Sequence, residues 1–332
     1  MKKRLLSMLL LGAMAMSLTA CGGDKSGDTA KTDDGTQPSG TSDSAAGDSQ
    51  KNYKIALCMS HQTNEFPTAV GKGAKAKAEE LGVTVEVFDG KQDQQTQINQ
   101  IETAINQGYD GILVEPISAD GIVPAVKEAN DAGIPVITVV QQMKNQDTMA
   151  VSYCGGDEAA ASKLQMQKAL DALGGKGNIA IIYGPMGSDA QLKRKAGYDE
   201  ILAKYPDVKV VFQETANWVT ADALKLVENW LSTGKEINAV VSQNDSMAMG
   251  ALKAIEDAGK QANIPVYGLD AVSDAIKAIA DGRLAGTVSQ DAPGQGGLGV
   301  ETMVKYLNGD KVEPINYTEC VWVDKSNVAD YQ

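Results

Sequence analysis

Residues 53–59 read Tyr53-Lys54-Ile55-Ala56-Leu57-Cys58-Met59, a short apolar run that gives way to a polar turn and then, over 69–81, to a stretch with helical periodicity. Gly82 stands where a helix wants a left-handed closing residue, and a second apolar run, 83–88, starts at once. Runs that are apolar throughout fit strands buried on both faces. The same unit recurs at 111–114, 134–140, 178–183, 208–212, 239–242, 265–269 and 285–289, with amphipathic stretches such as 96–107 and 121–132 between them. Gly133 follows a helix as Gly82 does, and Pro135 and Pro265 sit at strand starts. Strands alternating with helices make parallel sheets through right-handed crossovers, so the chain is predicted to be α/β, with parallel sheets flanked by helices.

The rhythm runs twice, over 53–153 and 154–290, with a slack passage at 141–148. Two lobes in series imply a cleft, and open α/β sheets bind ligands beyond the C-terminal ends of their strands. Every strand-to-helix turn is therefore a candidate ligand loop.

Upstream lies a different kind of sequence. Lys2, Lys3 and Arg4 precede an apolar run that ends in Leu18-Thr19-Ala20-Cys21. A membrane-spanning helix needs about 20 apolar residues; this run is shorter, so residues 1–20 read as a signal peptide. Its end resembles the lipobox of bacterial lipoproteins, which implies lipidation of Cys21 and an extracytoplasmic protein anchored to the cell membrane. Residues 21–52, rich in Gly, Ser, Thr, Asp and Lys, hold too little apolar surface to offset ordering entropy and read as a disordered tether.

The formal charge is −13, and loss of Lys2, Lys3 and Arg4 with the leader makes it −16. Such an acidic body repels phosphate backbones, which excludes nucleic acid as a partner. Cys58, Cys154 and Cys320 lack metal-type spacing and read as small buried hydrophobes. With one histidine, His61, multi-histidine metal sites are excluded. No cofactor and no metal are expected, and no convergent nucleophile, base and metal set marks an enzyme.

Five segments in order sharpen the reading: Ile55-Ala56-Leu57-Cys58-Met59-Ser60 with Asn64-Glu65-Phe66, Gly133-Ile134-Pro135-Val136-Ile137-Thr138, Gln243-Asn244-Asp245-Ser246-Met247-Ala248-Met249-Gly250-Ala251, Tyr267-Gly268-Leu269-Asp270, and Thr287-Val288-Ser289-Gln290. Together they resemble the ribose- and galactose-type sugar-binding proteins of bacterial ABC importers. The resemblance implies the type I periplasmic binding protein fold, two Rossmann-like lobes joined by a multi-strand hinge. It further implies that residues 53–153 and about 291–321 form lobe I, and about 154–290 with 322–332 lobe II. A monomer closing on one small sugar or polyol and presenting it to ABC permease membrane subunits is the expected function.

The resemblance carries site residues with it. Ser60 and Asn64 match polar contacts to ring hydroxyls, and Phe66 an aromatic packed on the sugar face. Trp218 matches a second aromatic, and Asn244, Asp270 and Gln290 match polar ligands at later strand ends. The pairing is chemically coherent, because C–H faces of a sugar suit an aromatic plate while hydroxyls want amide and carboxylate partners. Where ribose-type proteins carry an Asp-Arg pair this chain has Val140 and Gln141, and Leu192 falls at another ligand arginine, with Arg194 keeping a different basic position. Glu115 and Gln141 are candidate replacements. Lost cations argue for an uncharged sugar or cyclic polyol, since a buried anion needs compensating charge.

Structural alternatives stand beside these roles. Phe66 and Trp218 could be core, Asp270 could cap the helix near Ser273, and Arg194 could anchor its own lobe. Of Asn244 and Asp245, Asp245 is the expected helix cap and Asn244 the ligand. His61 is expected at a solvated rim. Rival functions are a ligand-loaded partner of a membrane sensor and a sugar-responsive regulator, whose basic DNA-binding start is replaced here by the leader.

Overall fold

The computed structural model describes residues 52–332; the leader, Cys21 and all but the last residue of the expected tether lie outside the described residues. The first sheet contains β1 (Lys54–Met59), β2 (Thr84–Asp89), β3 (Gly111–Val114), β4 (Val136–Val139), β5 (Ser152–Gly156) and, from far downstream, β11 (Ile315–Thr318). All pairs are parallel, in the order β11-β5-β4-β3-β1-β2. The second sheet, also parallel, contains β6 (Gly177–Tyr183), β7 (Val208–Thr215), β8 (Ala239–Ser242) and β9 (Val266–Tyr267) in the order β7-β6-β8-β9. An antiparallel pair, β10 (Thr287–Ser289) with β12 (Val321–Val323), sits apart, and the bridges Tyr267–Gly286 and Asp270–Ser289 tie it to the second sheet.

Helices α1 (Glu65–Glu80), α2 (Gln94–Asn106), α3 (Val123–Asp131), the single turn α4 (Gln146–Met149) and α10 (Ala292–Leu307) accompany the first sheet; α5 (Glu158–Ala172), α6 (Asp189–Leu202), α7 (Thr220–Ser232), α8 (Asp245–Asp257) and α9 (Ser273–Ala280) accompany the second. The local chemistry is regular. Side chains of Asp93, Asp157, Ser188, Asn244 and Asp291 cap the helices that follow them, and Gly82 and Gly133 close helices at φ of 64° and 78°. β3 and β8 are buried along their whole length. Each Ile, Leu or Val buried there stabilises by about 1.5–3 kcal/mol, which is why these strands carry no polar face.

The chain passes between the sheets three times: from β5 into α5, from β10 into α10, and from β11 into β12. α10 packs along α1 and against β3, β4 and β5, so residues 292–318 rejoin the first sheet. β5 lies wholly in the first sheet and straddles the boundary expected at 153/154.

Candidate functional site

The C-terminal ends of both sheets converge on a cavity lined from both sides, the place where open α/β sheets bind ligands. From the first sheet come His61 and Asn64 after β1, Phe66 in the first turn of α1, Glu115 after β3, and Val140 and Gln141 after β4; from the second come Arg194 on α6, Trp218 between β7 and α7, Asn244 before α8 and Asp270 after β9.

Two aromatics supply the apolar walls, Phe66 and Trp218, both buried among the lining residues. Trp218 follows Asn217 at φ of 53° and is itself at 64°, a conformation that turns the indole back toward Gly184. A Cβ on Gly184 would lie 2.1 Å from that ring, so only glycine admits it. The Arg194 guanidinium sits 5.6 Å from the indole centroid, within cation–π range.

Arg194 is buried and held from every side. Its Nε donates to Glu158 Oε2 at 2.5 Å, its Nη1 to the carbonyl of Gln243, and its Nη2 to Gln290 Oε1 at 3.1 Å. Burial alone would favour the neutral form, but the charge and hydrogen bond of Glu158, with Asp270 beyond, outweigh it and raise its pKa. Asp270 and Glu115 are the other ionisable groups whose buried carboxyls face the cavity. Burial pushes Asp270 well above the usual carboxylate range, with Arg194 pulling the other way and Asp245 and Glu158 adding to the rise. Burial also raises Glu115, opposed by His61, by Ser60, whose backbone N–H donates to Oε2 at 3.0 Å, and by the Gln141 side chain.

Val140 has φ of 63°, and the N–H of Gln141 donates back to the Val139 carbonyl at 2.6 Å, a γ-turn of the strained hand. That turn aims Gln141 across the cleft, where its Oε1 accepts the Ala190 N–H at 3.3 Å. Asn64 Nδ2 donates to the Trp218 carbonyl at 3.0 Å, and the Gln142 N–H donates to Asp189 Oδ2 at 3.0 Å. The two sheets thus meet directly around the cavity.

The structure brings together Asn64, Phe66, Glu115, Gln141, Trp218, Asn244 and Asp270 from the sequence reading. Two expected contacts fall elsewhere. Ser60 lines an adjoining cavity, with its hydroxyl hydrogen-bonded to His61 Nδ1 at 2.9 Å. Gln290 lies behind Arg194, with its amide engaged by Arg194 and, at 3.3 Å, by Glu158 Oε2, so it orients the guanidinium instead of lining the cavity.

Three further expectations change. Asn244, not Asp245, caps α8: its Oδ1 accepts the Met247 N–H at 2.9 Å. Asp245, one residue on, is inside the helix and buried, accepting the Thr287 hydroxyl at 2.7 Å and the Val272 N–H at 3.0 Å. His61 is 5% exposed, in the cavity wall and not at a solvated rim. Leu192 is 53% exposed while Arg194 enters the cavity, because residues two apart on a helix are about 200° apart around its axis. The cavity therefore holds a guanidinium that the sequence reading left outside, and its signal was the spacing from Ser188, the α6 cap.

Residues 55–311 match the family model described as periplasmic binding protein domain. The chain is 33% identical over 321 residues to the xylitol-binding protein of Mycolicibacterium smegmatis, covering 96% of this chain and 85% of the relative. It is 33% identical over 267 residues to the ribose import binding protein of Bacillus subtilis, covering 80% and 85%. Among solved structures, an ABC transporter solute binding protein from Bacillus halodurans with bound myo-inositol superposes with a TM-score of 0.81 at 34% identity, covering 85% of this chain and 98% of the other. With two parallel sheets whose strand ends face one cavity, and a family match across most of its length, the chain belongs to the periplasmic binding protein family and has the type I fold.

Proposed function

We propose that this chain is the lipid-anchored, extracytoplasmic solute-binding protein of an ABC importer, that it captures one uncharged sugar or cyclic polyol, and that it delivers it to the permease. The observation that carries this is the cavity between the sheets, where Phe66 and Trp218 offer apolar faces and Glu115, Asp270, Asn244 and Gln141 offer hydroxyl partners. Relatives named for xylitol and ribose, and one holding myo-inositol, support the same ligand class. Charge supports it too. Glu158 pairs with Arg194, the one guanidinium in the cavity wall, so an anionic ligand would meet Glu115 and Asp270 without a free cation.

In this reading the two lobes are the first sheet with residues 292–318 and the second sheet with β10 and β12, and the three crossings between them form the hinge. Ligand contacts to both lobes drive closure, and the closed shape docks on the permease as a monomer. Binding and release, with no bond made or broken, is the whole cycle. Thermal-shift screening of the body from residue 52 against xylitol, ribose, myo-inositol and related hexoses tests the ligand class. At a hundredfold excess over Kd, a true ligand adds about 2.7 kcal/mol of stability; no shift with any neutral polyol overturns the assignment. Anchorage has its own test: Cys21→Ser protein recovered with membranes as fully processed chain removes the lipid anchor.

A further inference from the structure

His61 is the only histidine of the chain. It is 95% buried, since its exposure is 5%, and it lines both the main cavity and the one beside it. Its Nδ1 is 2.9 Å from the Ser60 hydroxyl. Among the described residues its Nε2 is buried with no hydrogen-bond partner. Buried polar nitrogens are almost always hydrogen-bonded, and the ring that carries this one is part of the cavity wall.

We infer that His61 is a specificity-determining ligand contact, whose Nε2 reads one hydroxyl of the bound molecule at the first-sheet end of the cavity. The inference rests on the sugar-site reading above. Ser60 makes the ring adaptable: its hydroxyl can donate to Nδ1 or accept from it, which leaves Nε2 free to act as donor or acceptor. Glu115 is the charged neighbour on this side, with its carboxylate fixed by the Ser60 N–H and by Gln141. A hydroxyl placed here donates a hydrogen bond to the Glu115 carboxyl and accepts one from Nε2–H. Both of its hydrogen-bonding functions are then used, which a deoxy analogue or an epimer with the hydroxyl on the other face cannot reproduce. Sites built to bond a hydroxyl reject analogues lacking it far more strongly than apolar walls reject a missing methylene.

The test uses the folded body and titration calorimetry with xylitol, ribose and myo-inositol as probes. His61→Asn puts an amide near the place of Nδ1, and His61→Gln reaches toward that of Nε2. For the tightest of the three probes, we expect His61→Asn to weaken binding more than tenfold and His61→Gln to restore most of it, with unfolding midpoints near wild type. A direct readout comes from the single histidine: in imidazole-labelled protein, saturating probe should move the Nε2 resonance and leave Nδ1 bonded to Ser60. If wild type binds a probe and His61→Asn binds it equally, or Nε2 does not respond, the inference is overturned. If wild type binds neither these three nor any other neutral sugar or polyol of the screen, the sugar-site reading itself falls.

Discussion

Glu65, the first residue of α1, caps α9 from the opposite side of the cleft: its Oε1 accepts the Ser273 N–H at 3.0 Å and its Oε2 the Ser273 hydroxyl at 2.7 Å. α9 has no side-chain cap of its own, because its N-cap residue is Val272. The first N–H groups of a helix need an acceptor and favour a negative charge. Here the acceptor comes from across the cleft, so in the closing motion proposed above Glu65 and Ser273 would act as a latch.

Glu65→Ala should therefore weaken the closed state by about 1 kcal/mol, roughly fivefold in affinity. Glu65 does not line the main cavity, so the loss should appear in the dissociation rate, with association unchanged. Stopped-flow measurement of both rates decides it, and a slower association with unaltered release would remove the latch.

Trp218 depends on Gly184, whose missing Cβ leaves room for the indole. Trp218→Ala should cost about 1–3 kcal/mol, or five- to a hundredfold in affinity. Gly184→Ala should cost a similar amount by expelling the ring, and the double variant should be no worse than either alone, since both remove one contact. Additive losses in calorimetric titrations would mean that Gly184 acts elsewhere.

The strands at Gly111–Val114 and Ala239–Ser242 were legible to the residue, because parallel strands buried on both faces are written as unbroken apolar runs. β5 was not. Its Gly155 and Gly156 look like a loop, yet a Cβ on Gly155 would strike the Tyr153 hydroxyl at 2.2 Å and one on Gly156 the Gln290 amide at 2.5 Å. The contact of Gly156 with Gln290 is tertiary and leaves no local trace. β11 alternates exposed and half-buried residues at a sheet edge, so it offers no apolar run. At the site, strand-end placement told which loops face the cavity, while helix phase separated Arg194 from Leu192 and the start of α8 exchanged the roles of Asn244 and Asp245. Side-chain direction, the thing that puts His61 in the wall, has no linear signature.

Asp245 should make stability depend on pH. Burial lifts its pKa to about 6, against the pull of its bonds from Thr287 and Val272. A carboxyl whose folded pKa lies above its unfolded value, about 3.9, binds more protons in the folded state between those values. Its contribution to stability is thus full below pH 4, declines as pH rises to about 6, and is flat above. Asp245→Asn should remove that decline. The difference between wild-type and variant urea midpoints across pH 4–7 should follow this shape, and a pH-independent difference would show that Asp245 does not titrate in that window.

Glu158 and Arg194 form a buried pair, with side-chain exposures of 2% and 5%. Removing one partner of such a pair costs about 3–5 kcal/mol, because the other charge is left uncompensated. Glu158→Gln keeps the volume and should lower the unfolding midpoint clearly. It should also change what the cavity accepts. Arg194 remains aimed by the Gln243 carbonyl and Gln290, and its charge, no longer cancelled, faces the ligand. Discrimination between glucose and glucuronate, which differ by one carboxylate, should shift toward the acid by about tenfold, equivalent to 1.4 kcal/mol. Titration of both sugars into folded wild type and variant reads this ratio directly. An unchanged ratio would mean that Glu115 and Asp270, not the Glu158 pairing, keep anions out.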